Sequence, residues 1–114
     1  MSQHSSLSPE RWAGFNLDQQ ILMIGNEMNR AAKLMGPDDS GSRQRSYERI
    51  LRLVDLTVEV QRSRNLRKEL LRWRDLVAAL YIQSNALPKE HKDAFRSLLL
   101  FTPTSARQIP LLLT

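Results

Sequence analysis

Leu17, Ile21, Ile24, Met28, Ala31 and Met35 recur at alternating steps of four and three. That spacing gathers side chains into one stripe of an α-helix and would scatter them over both faces of a strand. The rule repeats downstream at Tyr47, Leu51, Val54 and Val58, and again at Leu66, Leu70, Trp73, Val77 and Leu80. No alternating strand pattern, internal repeat or low-complexity stretch competes with it, so the chain reads as all-α. Its 114 residues, 41% hydrophobic, suffice for one packed core and are too few for two.

Punctuation divides the helices. Asn16 with Gln19 three residues on makes a capping box for the first, and Gly36-Pro37 is expected to close it before the turn "GPDDSGS". Gly25 and Ala32, seven apart beside the seam, leave room for a neighbouring helix. A second helix runs from about Arg43 to Val60, where Ile50, Leu53, Leu56 and Val60 widen the apolar surface beyond half the circumference. Such a helix is central in a bundle or shared between subunits. The basic corner "QRSRN" leads into a third helix, which carries Leu71, Ala78 and Ile82 on a second seam. Pro88 fits the first turn of a fourth, with Ala94, Phe95, Leu98 and Leu99 on its apolar side, ending near Phe101-Thr102-Pro103. The prolyl tail "TSARQIPLLLT" reads as an extended segment docked on the bundle or on a partner. The expected architecture is an antiparallel four-helix bundle, a single domain over 1–114, with a loose segment at 1–8 and an extended apolar tail at 103–114.

Three segments, "FNLDQQILMIGNEMNRA" (Phe15 to Ala31), "YERILRLVDLT" (Tyr47 to Thr57) and "LRKELLRWRDLVAALY" (Leu66 to Tyr81), carry a resemblance. In order and spacing they resemble a group of small bacterial all-helical proteins of uncharacterised function. There a Phe-x-Leu-x-x-Gln and Gly-x-Glu-x-x-Arg-Ala helix precedes Glu-Arg-x-Leu-x-Leu-x-Asp-Leu-Thr and then an arginine-rich helix. The resemblance implies a helical fold and brings no activity. From Pro88 onward the chain departs from that pattern. In size, charge and architecture, though through no motif, the chain is also similar to the four-helix accessory proteins that work with reverse transcriptases in retroelements.

Catalytic and metal chemistry find little material. There is no cysteine, and the two histidines are His4, near the start, and His91, directly after Glu90, so the Glu-x-x-His pairs of a bundle metal site are missing. His91 is expected to be an exposed or half-buried helix residue. No nucleophile accompanies a base and no Gly-rich phosphate loop occurs, so neither enzyme activity nor a cofactor is expected. Glu27, Arg30, Asp55 and Asp75 form a possible polar cluster, for which ion pairing between helices is the plainer reading. Tyr47 and Trp73 lie on apolar seams, and Trp12 with Phe15 is suited to stapling the N-terminal segment onto the core.

Charge is the feature that points outward. Of a net +5, the stretch Arg43 to Arg74 holds ten basic residues against four acidic, +6, while the rest sums to −1; thirteen of the seventeen cations are arginine. Arginine suits bidentate contact with phosphate. Arg45, Arg49 and Arg52 fall on one stripe of the second helix, and Arg62, Arg64, Arg67 and Lys68 crowd the following corner. These seven are the candidate contacts to an RNA or DNA phosphate backbone, salt-dependent and indifferent to sequence. The competing reading is a solvated basic face balanced by Glu48, Glu59 and Glu69. An interaction reading stands beside both, with the apolar faces of the second and third helices and the tail burying against further copies of the chain or another protein. The expected partners are RNA or DNA, further copies and a nucleic-acid enzyme, with no membrane: the start "MSQHSSLSPERW" lacks an apolar signal region and the longest apolar runs are far too short to span a bilayer, so a cytoplasmic location is expected.

Overall fold

The computed structural model describes residues 7–113 and is all-helical, with no strand among those residues. Its helices are α1 (Pro9–Ala13), α2 (Leu17–Ala32), α3 (Ser40–Val60), α4 (Arg64–Tyr81), α5 (Pro88–Leu99), α6 (Pro103–Ala106) and α7 (Ile109–Leu112), with a 3-10 turn at Pro37–Asp39 before α3. The four longer helices touch in a closed cycle, α2 to α3 to α4 to α5 and back to α2, while α1 lies on α3. A radius of gyration of 13.5 Å matches the roughly 13 Å expected of a compact chain this long.

The middle of the first seam behaves as its spacing predicts, while Leu17 at its start is half-buried and Met35 lies past the end of α2. Ile21, Ile24, Met28 and Ala31 are fully buried, and each large one contributes roughly 1.5–3 kcal/mol. Asn16 Oδ1 accepts from the Gln19 N–H at 2.8 Å, and Gln19 Oε1 accepts from the Asn16 N–H at 2.9 Å, completing the capping box. The far end differs. α2 stops at Ala32, four residues before Gly36, because the N–H groups of Lys33 and Leu34 turn back to the carbonyls of Arg30 and Ala31 at 3.1 and 2.9 Å. Gly36 keeps an extended backbone, φ −73° and ψ 163°, and opens the 3-10 turn, where the Asp39 carboxylate accepts from its N–H. No left-handed glycine ends α2.

α3 is the central helix, touching α1, α2 and α4. Its buried face runs through Tyr47, Ile50, Leu53, Val54, Leu56 and Thr57, whereas Leu51 and Val58 of the expected seam lie half-buried at its flank. On α4 the first seam is buried from Leu70 to Leu80, with Leu66 half-buried, but the second is not: Leu71 is 47% exposed and Ile82, just past the helix end, 75%.

Both ends carry more helix than the sequence pattern suggested. Ser8 caps α1 by accepting from the Arg11 N–H, and Pro9 occupies its first turn. Trp12 is fully buried, donates from Nε1 to Thr57 Oγ1 at 2.9 Å, and meets Phe15 edge-on with ring centroids 5.7 Å apart. Leu7 packs against the core; the rest of the segment expected to be loose, residues 1–6 with His4, lies outside the described residues, as does Thr114. The tail is not extended but winds into α6 and α7. Pro103 and Pro110 both sit in first turns, where the missing N–H costs nothing, and Thr102 with Ser105 forms a capping box.

Candidate nucleic-acid interface

Ser63 ends the corner by capping α4, its hydroxyl accepting from the Leu66 N–H at 3.3 Å. This start fixes where the cations point. Arg62 lies just before the cap, Arg64, Arg67 and Lys68 occupy the first two turns, and all four are exposed. None of their side chains makes an ion pair or hydrogen bond among the described residues. The first turn of α4 carries no acid. Helix starts present partial positive charge and ordinarily attract carboxylates, so four cations here oppose the local field, and an anion from outside would relieve them.

The α3 stripe is a different environment. Arg49 is half-buried and committed to its own chain: its Nε donates to Glu27 Oε2 at 3.1 Å and its Nη2 to Ser46 Oγ at 3.0 Å. Arg45 donates to Ser42 Oγ at 3.2 Å. Arg52 donates to the Leu7 carbonyl and lines a groove of about 460 Å³ together with Glu48, Asp55 and Glu59. Arg52 thus shares its groove with three acidic residues, of which Asp55 is held by Arg74. Arg43 is buried, donating to the carbonyls of Leu34 and Ser84 at 2.9 and 3.4 Å, where it pins the link after α2 to the link after α4.

The possible polar cluster divides in two. Glu27, 3% exposed, receives Arg30 at 3.2 Å as well as Arg49. Asp55 instead takes Arg74 from α4, with Nε at 2.6 Å and Nη2 at 3.3 Å, and this hydrogen bond holds the Arg74 proton more firmly than usual. Asp75 is exposed beside that pair.

His91 overturns its expectation, being 1% exposed. Its Nε2 lies 2.8 Å from the Met28 carbonyl, which can only accept, so Nε2 carries the proton and Nδ1 accepts from the Tyr47 hydroxyl at 2.7 Å. Burial lowers the imidazole pKa from its ordinary value and pushes the Tyr47 hydroxyl up to about 12. The network joins α2, α3 and α5 and leaves both histidine nitrogens occupied. Sequence offered one signal for it, Tyr47 on an apolar seam, since a buried hydroxyl demands a partner. Among the described residues no group of three or more His, Asp or Glu is placed to hold a metal ion, and no helix is long and apolar enough to cross a membrane.

Comparison of the chain with family models, curated proteins and solved structures finds no match.

Proposed function

We propose that this is a non-enzymatic accessory protein that holds RNA or DNA by its phosphate backbone at the α3–α4 corner, on a scaffold in which α2 to α5 form an antiparallel four-helix bundle. One observation carries the reading: Arg62, Arg64, Arg67 and Lys68 are exposed, without carboxylate partners among the described residues, around a helix start that has no acid in its first turn. The contribution of Arg45 and Arg52 is secondary, and that of Arg49 is spent on Glu27. The sequence carries no helix-turn-helix, zinc or RNA-binding sheet signature for reading base edges, so affinity is taken to be electrostatic and to fall steeply with salt. The same reading takes copies of the chain to assemble, so that several weak corners act together beside a cytoplasmic nucleic-acid enzyme.

Fluorescence anisotropy with a labelled single-stranded RNA and a labelled duplex, from about 50 to 200 mM salt, tests it. Binding is expected with a steep log–log slope, which Arg62→Ala with Arg64→Ala reduces by about 1.4–1.8 for the loss of two phosphate contacts. No binding at the low-salt end, or a slope that the double variant leaves unchanged, removes the corner from consideration.

A further inference from the structure

Between α4 and α5 lies a groove of about 410 Å³ with an apolar floor. Leu80 and Ala94 are buried beneath it, whereas Leu76 is 49% exposed and Ala79 is open to solvent. The chain's own tail does not cover it: Leu112 and Leu113 line a recess on another face of α5, with Ala32, Met35 and His91. On a chain of net charge +5, every charged residue lining this groove is acidic, Asp75 from α4 and Glu90 and Asp93 from α5. We infer that the groove docks a basic amphipathic helix of the partner enzyme, with its apolar stripe on Leu76 and its cations on the acids of the two walls. The inference deepens the preceding reading by giving the surface that meets the enzyme, and it rests on that reading for the partner's identity.

Charge complementarity selects this occupant. Acid stands on both walls, so a segment lying between α4 and α5 meets carboxylates on either side of an apolar floor. An amphipathic helix whose cations flank its apolar stripe matches that pattern. Asp93 is already flanked by Lys89 and Arg96 at 3.3 and 3.9 Å. Asp75 and Glu90 are exposed and make no ion pair or hydrogen bond among the described residues. Asp75 acts on Arg74 only through space, since Asp55 holds that guanidinium. The same lining turns other occupants away, because the phosphates of RNA, DNA or an anionic lipid would face three carboxylates. A protein that works on the polyanion held at the corner carries basic surface for the same reason as this chain does, so its cations suit the groove. From Asp75 to Tyr81 the α4 wall is about 9 Å long, room for an anchor of roughly two helical turns. Lys68, the corner cation nearest in sequence, lies about 12 Å of helix from Leu76, so polyanion and partner can be held at once.

The probe is a labelled synthetic peptide of about 14 residues, with leucines at i, i+3, i+4 and i+7 and lysines on either flank. Anisotropy reads its affinity, and amide shifts of the isotope-labelled chain locate it. The lysine peptide is expected to bind and to move the amides of Leu76, Ala79, Glu90 and Ala94; the same peptide with glutamates for lysines is expected not to bind. Asp75→Lys with Glu90→Lys should weaken the lysine peptide by at least about tenfold and admit the glutamate one. Leu76→Ser, at an exposed position, should weaken the lysine peptide by about tenfold. No binding, binding indifferent to these variants, or shifts gathered instead on Glu48, Asp55 and Glu59 overturns the inference. So do groove amides that move with chain concentration alone, which would mean that a second copy sits there. The corner is tested apart: Leu76→Ser should leave RNA affinity unchanged, and a loss of RNA binding with the peptide still held in the groove overturns the preceding reading alone.

Discussion

His91 is where single-residue chemistry most affects stability. In the fold it is neutral, donating to Met28 and accepting from Tyr47, and its pKa is lowered by burial. The unfolded chain takes up this proton near pH 6.5, before the folded chain does. Stability is therefore full above about pH 6.5 and is lost as pH falls toward the lower folded value, by at most about 1.4 kcal/mol per pH unit. Urea unfolding between about pH 7.5 and 5 should show this decline, and His91→Gln, which removes the titration, should flatten it over the upper part of that range. A natural chain equally stable at both ends would mean that the imidazole takes its proton without leaving the fold. Glu27 obeys the same rule for buried polar groups: its carboxylate is buried while paired with two guanidinium groups, half-buried Arg49 and the more exposed Arg30.

At the scale of elements, Gly25 shows why space and propensity must be weighed together. It is buried on α2 facing α5, and a Cβ there would sit 3.5 Å from Phe95 and 3.7 Å from Leu99, ordinary contact distances. The small residue eases the approach of α5 without being required for it. Gly25→Ala should thus raise stability by about 0.5–1 kcal/mol through helix propensity, read as a higher thermal midpoint; a loss would show that α5 packs closer to α2 than these distances allow. Helices were the legible part of the sequence, because caps and four-three spacing are local: Asn16 with Gln19, and Pro88 at the head of α5, settle their own geometry. What stayed hidden depends on distant partners or on prolines read as breakers. Pro103 and Pro110 sit in first turns, where proline is harmless, so α6 and α7 went unseen, and α1, five residues long, is too short to show a seam. The corner's position could be read directly, but the fate of each cation could not. Arg49 and Arg64 look alike in sequence, and only packing of α2 against α3 brings Glu27 to the first and nothing to the second.

For the molecule as a whole, the surplus of +6 between Arg43 and Arg74 is sorted by the fold into pairs that close the helices on one another and a remainder at one corner. Arg74 on Asp55 and Arg49 on Glu27 are of the first kind. The remainder stands against the N-terminal field of α4, which makes the free protein less stable than its core would allow; on the proposed function, a bound polyanion would reverse this. Both halves of that statement can be measured on one substitution. Arg64→Glu places a carboxylate in the first turn of α4 and should stabilise the free protein by about 0.3–1 kcal/mol. A polyanion at about a hundred times its dissociation constant should stabilise the natural chain by about 2.7 kcal/mol, on the order of 10 °C in thermal midpoint at this length. At that same polyanion concentration, Arg64→Glu should shift far less. The variant's midpoint therefore starts higher when free and finishes lower when RNA is present at low salt, so the two proteins exchange rank. A solvated face with no ligand predicts the first change without the second: Arg64→Glu would remain the more stable protein at every RNA concentration.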